Sequence, residues 1–464
     1  MASKKKKKAI GAISLRDVGF RTAFVEGNGI TKLSAIIFGL GNLVHKQIIR
    51  GLLLLSIELA YVYYMITFGF RSILNLRNLG TVEQREVYNE KKAIYEYVSG
   101  DNSMLFLLFG VVSILITIAF LALMMSSVKS AYITQKRIEL GKSISNFRDD
   151  LRSLKGQNLH KGLLFLPMLG VLAFTVIPII FMILIAFTNY DKDHQPPGNL
   201  FTWVGFKNFT AMFQMGGRLS KTFWPVLSWT LIWAVCATIT CYILGMLLAI
   251  IINRKGTRIK GFWRFLFVMS IAVPQFVSLL TMRTMFNTNG PVNVLLRQLH
   301  IIGAQDSIPF WTNATIAKIL IICINIWIGV PFTMLNTTGI LMNIPADLYE
   351  AAKVDGANPV VTFFKITLPY MLFITTPSLI TSFVGNINNF NVIFLLSGGG
   401  PANMEYHYAG KTDLLITWLY KLTMTNKDFN TGSVISIVIF LIMASMSLLI
   451  YRNTSSYKDE EAFQ

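Results

Sequence analysis

Four asparagines, Asn386, Asn388, Asn389 and Asn391, crowd into the stretch SFVGNINNFNV at 382–392. Ser382, Asn386 and Asn389 are four and three residues apart, the spacing that puts side chains on one face of a helix. A second apolar stretch, NIWIGVPF at 325–332, brings Asn325, Gly329 and Phe332 into line at the same spacing, and Ser278 stands in a third. A primary amide both donates and accepts hydrogen bonds. Amides grouped with rings such as Phe332, Phe390 and Trp327 suit a neutral, hydroxyl-rich ligand, since concave sites combine apolar walls with a few aimed polar groups. The same amides would equally serve as hydrogen bonds between helices, worth about 0.6 kcal/mol each on average. No catalytic constellation accompanies them: HExxH, the nucleophile elbow and the GxxxxGK[ST] phosphate loop are all absent from the sequence. The three cysteines, Cys236, Cys241 and Cys323, lie in apolar runs and offer neither a disulfide framework nor metal-ligand spacing.

The elements that must hold those amides are membrane spans. Hydrophobic residues make up 53% of the 464 and charged residues only 14%, where a soluble chain carries about 25%. Mean hydropathy is +0.54. Apolar runs near the twenty or so residues that cross a bilayer occur at Leu52–Phe70, Leu105–Met125, Gly162–Phe187, Phe223–Ile252, Phe265–Phe286, Ile319–Met342, Tyr370–Leu396 and Val434–Tyr451. The expected fold is all-α and polytopic, with eight transmembrane helices. Lys and Arg number 27 in the amino-terminal segment, alternate connections and tail, against 14 in the other connections. By the positive-inside rule both termini face the cytoplasm, and the net charge of +19 needs no nucleic acid to explain it. The run Lys4–Lys8 suits anionic membrane lipid. Ionisable residues inside the spans are few, Glu58 and Arg283, whereas a proton-coupled carrier would bury a relay of them.

The division along the chain is then a basic cytoplasmic region (1–50), two accessory spans (51–126), a cytoplasmic amphipathic linker (127–161), a six-span core (162–451) and a cytoplasmic tail (452–464). One segment of the core is not apolar. In NIPADLYEAAKVDGANPVVTFFKITLP, Pro345 suits a helix start, Asp347 and Glu350 complement its dipole, and Gly356 suits a left-handed stop. Asn358-Pro359 restarts the chain as N-cap and first helical residue, and Pro369 marks the next span. The segment predicts two short helices around a sharp corner, with Ala351 and Ala352 leaving the first smooth.

Within it, Glu350-Ala351-Ala352, three residues, Gly356, nine residues, Ile366, one residue and Leu368-Pro369 resemble the cytoplasmic signature loop of permease subunits in bacterial binding-protein-dependent ABC importers. The resemblance extends over 162–451 through AFTNY, WVGFKNF, NIWIGVPF, NNFNVIFLLSGGGP and GKTDLLI, and is nearest to the large permease subunit of maltose and maltodextrin importers. It implies a type I ABC importer permease fold with a six-helix core. It also implies that Glu350, Ala351, Ala352, Asp355, Gly356 and Pro369 serve a coupling helix docked on an ATPase. The substrate path would run past Ser278, Asn325, Gly329, Phe332, Ser382, Asn386 and Asn389. The chain would be a transport subunit, not an enzyme, with ATP and Mg held by a partner ATPase dimer and no cofactor of its own. Further implied partners are a second, different permease subunit, an extracytoplasmic sugar-binding protein and an oligosaccharide substrate. The implied location is a bacterial plasma membrane. The connection at 188–222 is only 35 residues, so it lacks the large folded insertion that some members carry there. The rival readings are an ion-coupled secondary sugar transporter, disfavoured by scarce intramembrane charge, and a membrane enzyme or scaffold of polysaccharide synthesis, for which no domain is large enough.

Overall fold

A computed structural model describes residues 18–144, 147–156, 158–254 and 256–452. The lysine run and the tail from residue 453 onward lie outside the described residues. Among the described residues, seven helices are long and apolar enough to cross a membrane, and a bent pair brings the number to as many as eight. That pair, Lys260–Ala272 and Gln275–Met285, is the expected fifth span broken by 85°. Pro274 has no N–H to continue the helix and forces Val273 into an extended conformation, φ −75° and ψ 123°. The described residues form two compact units that divide after Val204.

The first unit holds spans one to three, Ile48–Asn75, Ser103–Glu139 and Leu159–Ile185. Span two has 37 residues, roughly 55 Å at 1.5 Å per residue, against about 30 Å of hydrocarbon. Its last turns bury Ser127, Val128, Ala131, Tyr132, Thr134 and Gln135 beneath three short helices, Phe20–Glu26, Gly29–Leu33 and Leu40–Val44. The stretch 127–161, expected as a cytoplasmic amphipathic linker, is therefore divided. Residues up to Glu139 prolong span two, Gly141 in the left-handed region (φ 64°) stops it, and Phe147–Lys155 forms a separate helix.

A second departure from expectation is a two-stranded antiparallel hairpin between spans one and two, Arg85–Asn89 with Ile94–Val98. Val87, Tyr88, Ile94, Tyr95 and Tyr97 are β-branched or aromatic residues that favour a pleated surface, and the paired Tyr88 and Tyr95 rings lie 5.1 Å apart. The chain is thus mostly rather than wholly helical.

The second unit is built on spans four and six, Arg218–Asn253 and Ala314–Leu341. A Cβ at Gly245 would stand 2.6 Å from Thr333 Cβ, and one at Gly329 would stand 2.7 Å from Cys241 Sγ. Small residues let the two backbones approach this closely. Trp229, Trp233, Ile321, Ile324, Val392 and Leu414 form a hydrophobic core of this unit. Span seven, Pro359–Leu396, includes a π turn at Phe363–Thr367, and span eight is Phe429–Arg452. Between them, the stretch Leu414–Leu422 forms the helix Leu415–Tyr420 and a π turn from Lys421. Its apolar residues Leu415, Trp418 and Leu422 are buried. Asp413 anchors this segment: Gly410 N donates to it at 2.7 Å, Thr417 Oγ1 at 2.8 Å, and Lys421 Nζ lies 2.6 Å away. Burial pushes the Asp413 carboxyl above the usual carboxylate range, against the pull of the Lys421 ammonium.

Candidate functional site

Spans four to seven enclose a cavity of about 800 Å³, and all seven residues expected on a substrate path line it: Ser278, Asn325, Gly329, Phe332, Ser382, Asn386 and Asn389. Each is placed by a local feature. Ser278 follows the Pro274 corner, so the second half of span five turns its first helical turn toward the space. Asn386 Nδ2 donates to Thr238 Oγ1 at 2.9 Å, and its backbone carbonyl accepts from Trp233 Nε1 at 3.0 Å. One amide hydrogen is thereby committed to span four, while the amide oxygen is not. Asn389 lies just past the end of the helix Leu368–Ile387 and caps the next helix, accepting from Val392 N at 3.3 Å. Its NH₂ group is left for the cavity.

Asn325 is only 8% exposed, and its nearest polar partner is Cys241 Sγ, 3.6 Å from Nδ2. It belongs more to the wall between spans four and six than to the open space. Phe332 and Trp327 are exposed and line the cavity, as expected. Phe390 does not. The helix break at Asn388–Asn389 turns its ring against Phe394 and Tyr420, at 4.7 and 5.0 Å between centroids. Asn388 and Asn391 are also not among the lining residues. Sequence reasoning missed Thr238, Tyr242, Gln275 and Asn336, which do line it. Asn336 lies four residues past Phe332 and was findable from that periodicity. Gln275 was hidden because only the bend after Pro274 aims it.

Among the described residues, no Asp, Glu, Lys, Arg or His lines the cavity. Its polar groups are amides and hydroxyls, and Tyr242 OH is paired with Thr375 Oγ1 at 2.8 Å. Such a lining can hydrogen-bond a neutral polyol in many orientations and offers no charge for an ionic substrate.

At the base of span seven the polar segment folds largely as its residues dictate. The helix Ala346–Val354 is preceded by Pro345 and ends at Asp355. Gly356 follows with φ 73°, and Asn358 Oδ1 accepts from Val361 N at 2.8 Å ahead of Pro359. The second short helix does not stop at a corner of its own. It runs through the π turn into Leu368–Ile387, with Pro369 in the first turn. Glu350, Ala351, Asp355 and Gly356 are exposed, whereas Ala352 is turned inward at 8% exposure, so only one of the two alanines smooths the outer face. Tyr349 OH pairs with Thr367 Oγ1 at 3.1 Å, tying the short helix to the foot of span seven. A cleft of about 700 Å³ beside this tie is lined by Asn253, Arg254, Lys353 and Phe363 among others.

Residues 241–454 match the family described as binding-protein-dependent transport system inner membrane component. The chain is 33% identical over 440 residues to the maltodextrin transport system permease protein MdxF of Bacillus subtilis, which covers 92% of this chain and 96% of that protein. It is 34% identical over 436 residues to the galactooligosaccharides transport system permease protein GanP of the same organism, covering 93% and 99%. A solved structure of a bacterial alginate ABC transporter, in complex with an alginate pentasaccharide-bound periplasmic protein, superposes with a TM-score of 0.52 at 20% identity, covering 66% of this chain and 98% of that one. At that identity the likeness is one of fold alone, polytopic and helical. The chain belongs to the family of inner-membrane components of binding-protein-dependent transport systems.

Proposed function

We propose that this chain is the permease subunit of an ATP-driven importer that carries a neutral oligosaccharide of the maltodextrin type across a bacterial plasma membrane. The observation that carries the reading is the uncharged, amide- and hydroxyl-lined cavity between spans four and seven. Its lack, among the described residues, of any Asp, Glu, Lys, Arg or His in the lining speaks against an ion-coupled carrier, which needs a relay of such groups. The names of the relatives, maltodextrin and galactooligosaccharide permeases, support an oligosaccharide. Within the cavity, Ser382, Asn386 and Asn389 would meet sugar hydroxyls, with Phe332 and Trp327 against the apolar ring faces.

The termini and the Ala346–Val354 helix face the cytoplasm in this reading, as the lysine and arginine bias supports. Glu350, Ala351, Asp355 and Gly356 form the surface offered to a separate ATPase dimer, which holds ATP and Mg. The foot of span seven, with Pro369, passes the movement on. A second, different permease subunit completes the path, and an extracytoplasmic sugar-binding protein delivers the substrate.

The test is reconstitution of the chain with its ATPase, second permease and binding protein in proteoliposomes, followed by ATPase activity against maltodextrins of graded length. Maltodextrin should stimulate hydrolysis. The Ser382→Ala/Asn386→Ala pair should weaken the sugar response about tenfold, as expected for two lost hydrogen bonds of roughly 0.7 kcal/mol each. Uptake that persists without the ATPase and collapses with the proton gradient would overturn the proposal.

A further inference from the structure

The segment before span one is built for a place out of water. Between the short helices Gly29–Leu33 and Leu40–Val44 the chain makes a tight apolar turn, Ser34–Gly39. Every backbone N–H from Ser34 to Gly41 finds a partner inside the chain. Ser34, Ala35, Ile36, Ile37 and Leu40 donate to nearby carbonyls at 2.9–3.2 Å. The other three are met by side chains: Phe38 N donates to Glu58 Oε2 at 2.7 Å, Gly39 N to Ser127 Oγ at 2.9 Å and Gly41 N to Ser34 Oγ at 2.8 Å. A surface turn in water has no need of this, because water satisfies its donors. In hydrocarbon it is obligatory.

The side chains agree with the backbone. Ile36 is 71% exposed, and Leu33 and Ile37 are exposed too. Span one also exposes Ile49, Leu52 and Leu53, on either side of the Gly51 that the turn touches through Gly39. The turn also has a depth. Gly39 lies against Gly51, where a Cβ would come within 2.7 Å of backbone. The Phe38 ring stacks on Phe120 at 4.7 Å, and Phe120 stacks on Tyr61. Phe120 is five residues inside the expected boundary of span two at Met125, about 7 Å along the helix axis.

We propose that residues 29–44 form a re-entrant wedge whose apex, Ile36–Phe38, dips about 5–10 Å into the acyl chains of the leaflet where span one begins. Glu58 is then the acceptor that holds the apex at depth. Its occupant is lipid rather than protein, because the turn touches the start of span one and both expose apolar side chains. The inference needs spans one and two to cross the membrane, and it is independent of what the chain transports.

Nitroxide accessibility in proteoliposomes tests it, in the assembled transporter with the three native cysteines replaced by alanine. A label at position 36 (Ile36→Cys) should behave like one at Leu53→Cys, open to oxygen and shielded from a water-soluble nickel chelate. A label at Lys142→Cys, beyond the end of span two, should show the reverse. Glu58→Ala should raise nickel access at position 36 several-fold, while Glu58→Gln, which keeps an acceptor oxygen, should not. Free access of nickel at position 36 in the otherwise unaltered chain would overturn the wedge. Exclusion of both reagents would overturn lipid as its occupant in favour of a partner subunit. Equal depth in Glu58→Ala and Glu58→Gln would remove Glu58 from the account.

Discussion

Asn386 serves two ends at once, since one amide hydrogen ties span seven to Thr238 of span four while the rest of the group faces the cavity. The two uses entertained for such amides, interhelical bond and ligand contact, are therefore not exclusive. The amide face was legible because side-chain types and helical spacing coincide. The Asp413–Lys421 pair was not, since the two stand eight residues apart at either end of the largely apolar run LLITWLY. What brings them together is the helix Leu415–Tyr420 between them, with Asp413 just before its start and Lys421 just past its end. Lys421→Met should be the costly change here. It leaves a 1% exposed carboxylate without its cation, a loss of about 3–5 kcal/mol, read as a drop in the melting temperature of the detergent-solubilised protein. The sign with pH follows from the raised carboxyl. A raised folded pKa gives stability that is present at low pH and lost as pH rises through that value. The penalty in Lys421→Met should accordingly be smaller at pH 5 than at pH 8.

Among the elements, the long helices were the most legible because twenty apolar residues in a row admit few alternatives. Three features escaped. The 85° break of span five needed Pro274 to be read as a corner, although many membrane helices carry proline without breaking. The hairpin 85–98 carries Tyr, Val and Ile in adjacent pairs and no buried face, so it lacks the hydrophobic contrast that flags a strand. The prolongation of span two is amphipathic only because a partner segment about a hundred residues upstream covers it. Close packing of spans four and six sets an element-scale expectation. Gly245→Leu should force its side chain into Thr333 and cost about 1–3 kcal/mol through overpacking, lowering both thermal stability and the recovery of intact complex by size-exclusion chromatography. Gly339→Leu has open space around it and should be nearly silent in the same assay.

At the scale of the whole second unit, one helix carries both ends of the proposed mechanism. Pro369 and Ser382 are thirteen residues apart on span seven, roughly 20 Å, so a push at the foot reaches the cavity along one helix, Leu368–Ile387, past its interior proline, Pro377. Gly356 sits where that push would enter. A Cβ there meets nothing within 4 Å, but the backbone is left-handed at φ 73°, which costs a branched residue about 1–2 kcal/mol. Gly356→Val should then disturb the set of the short helix rather than clash. The expected result is ATP hydrolysis near its normal rate with several-fold less sugar moved per ATP, while the binding protein's affinity for sugar is untouched. Transport at full efficiency in that variant would argue against the docking role.

The π turn at Phe363–Thr367 lies between that entry point and the cavity. A π turn is an α turn with one residue too many. Were the surplus residue shed, the helix above would screw round by about 100° and settle by about 1.5 Å. Ser382 and Asn386 would leave the cavity wall together, with no hinge opened and no helix bent. Span seven would thus turn its amides by one residue's worth of rotation made more than roughly 20 Å beneath them.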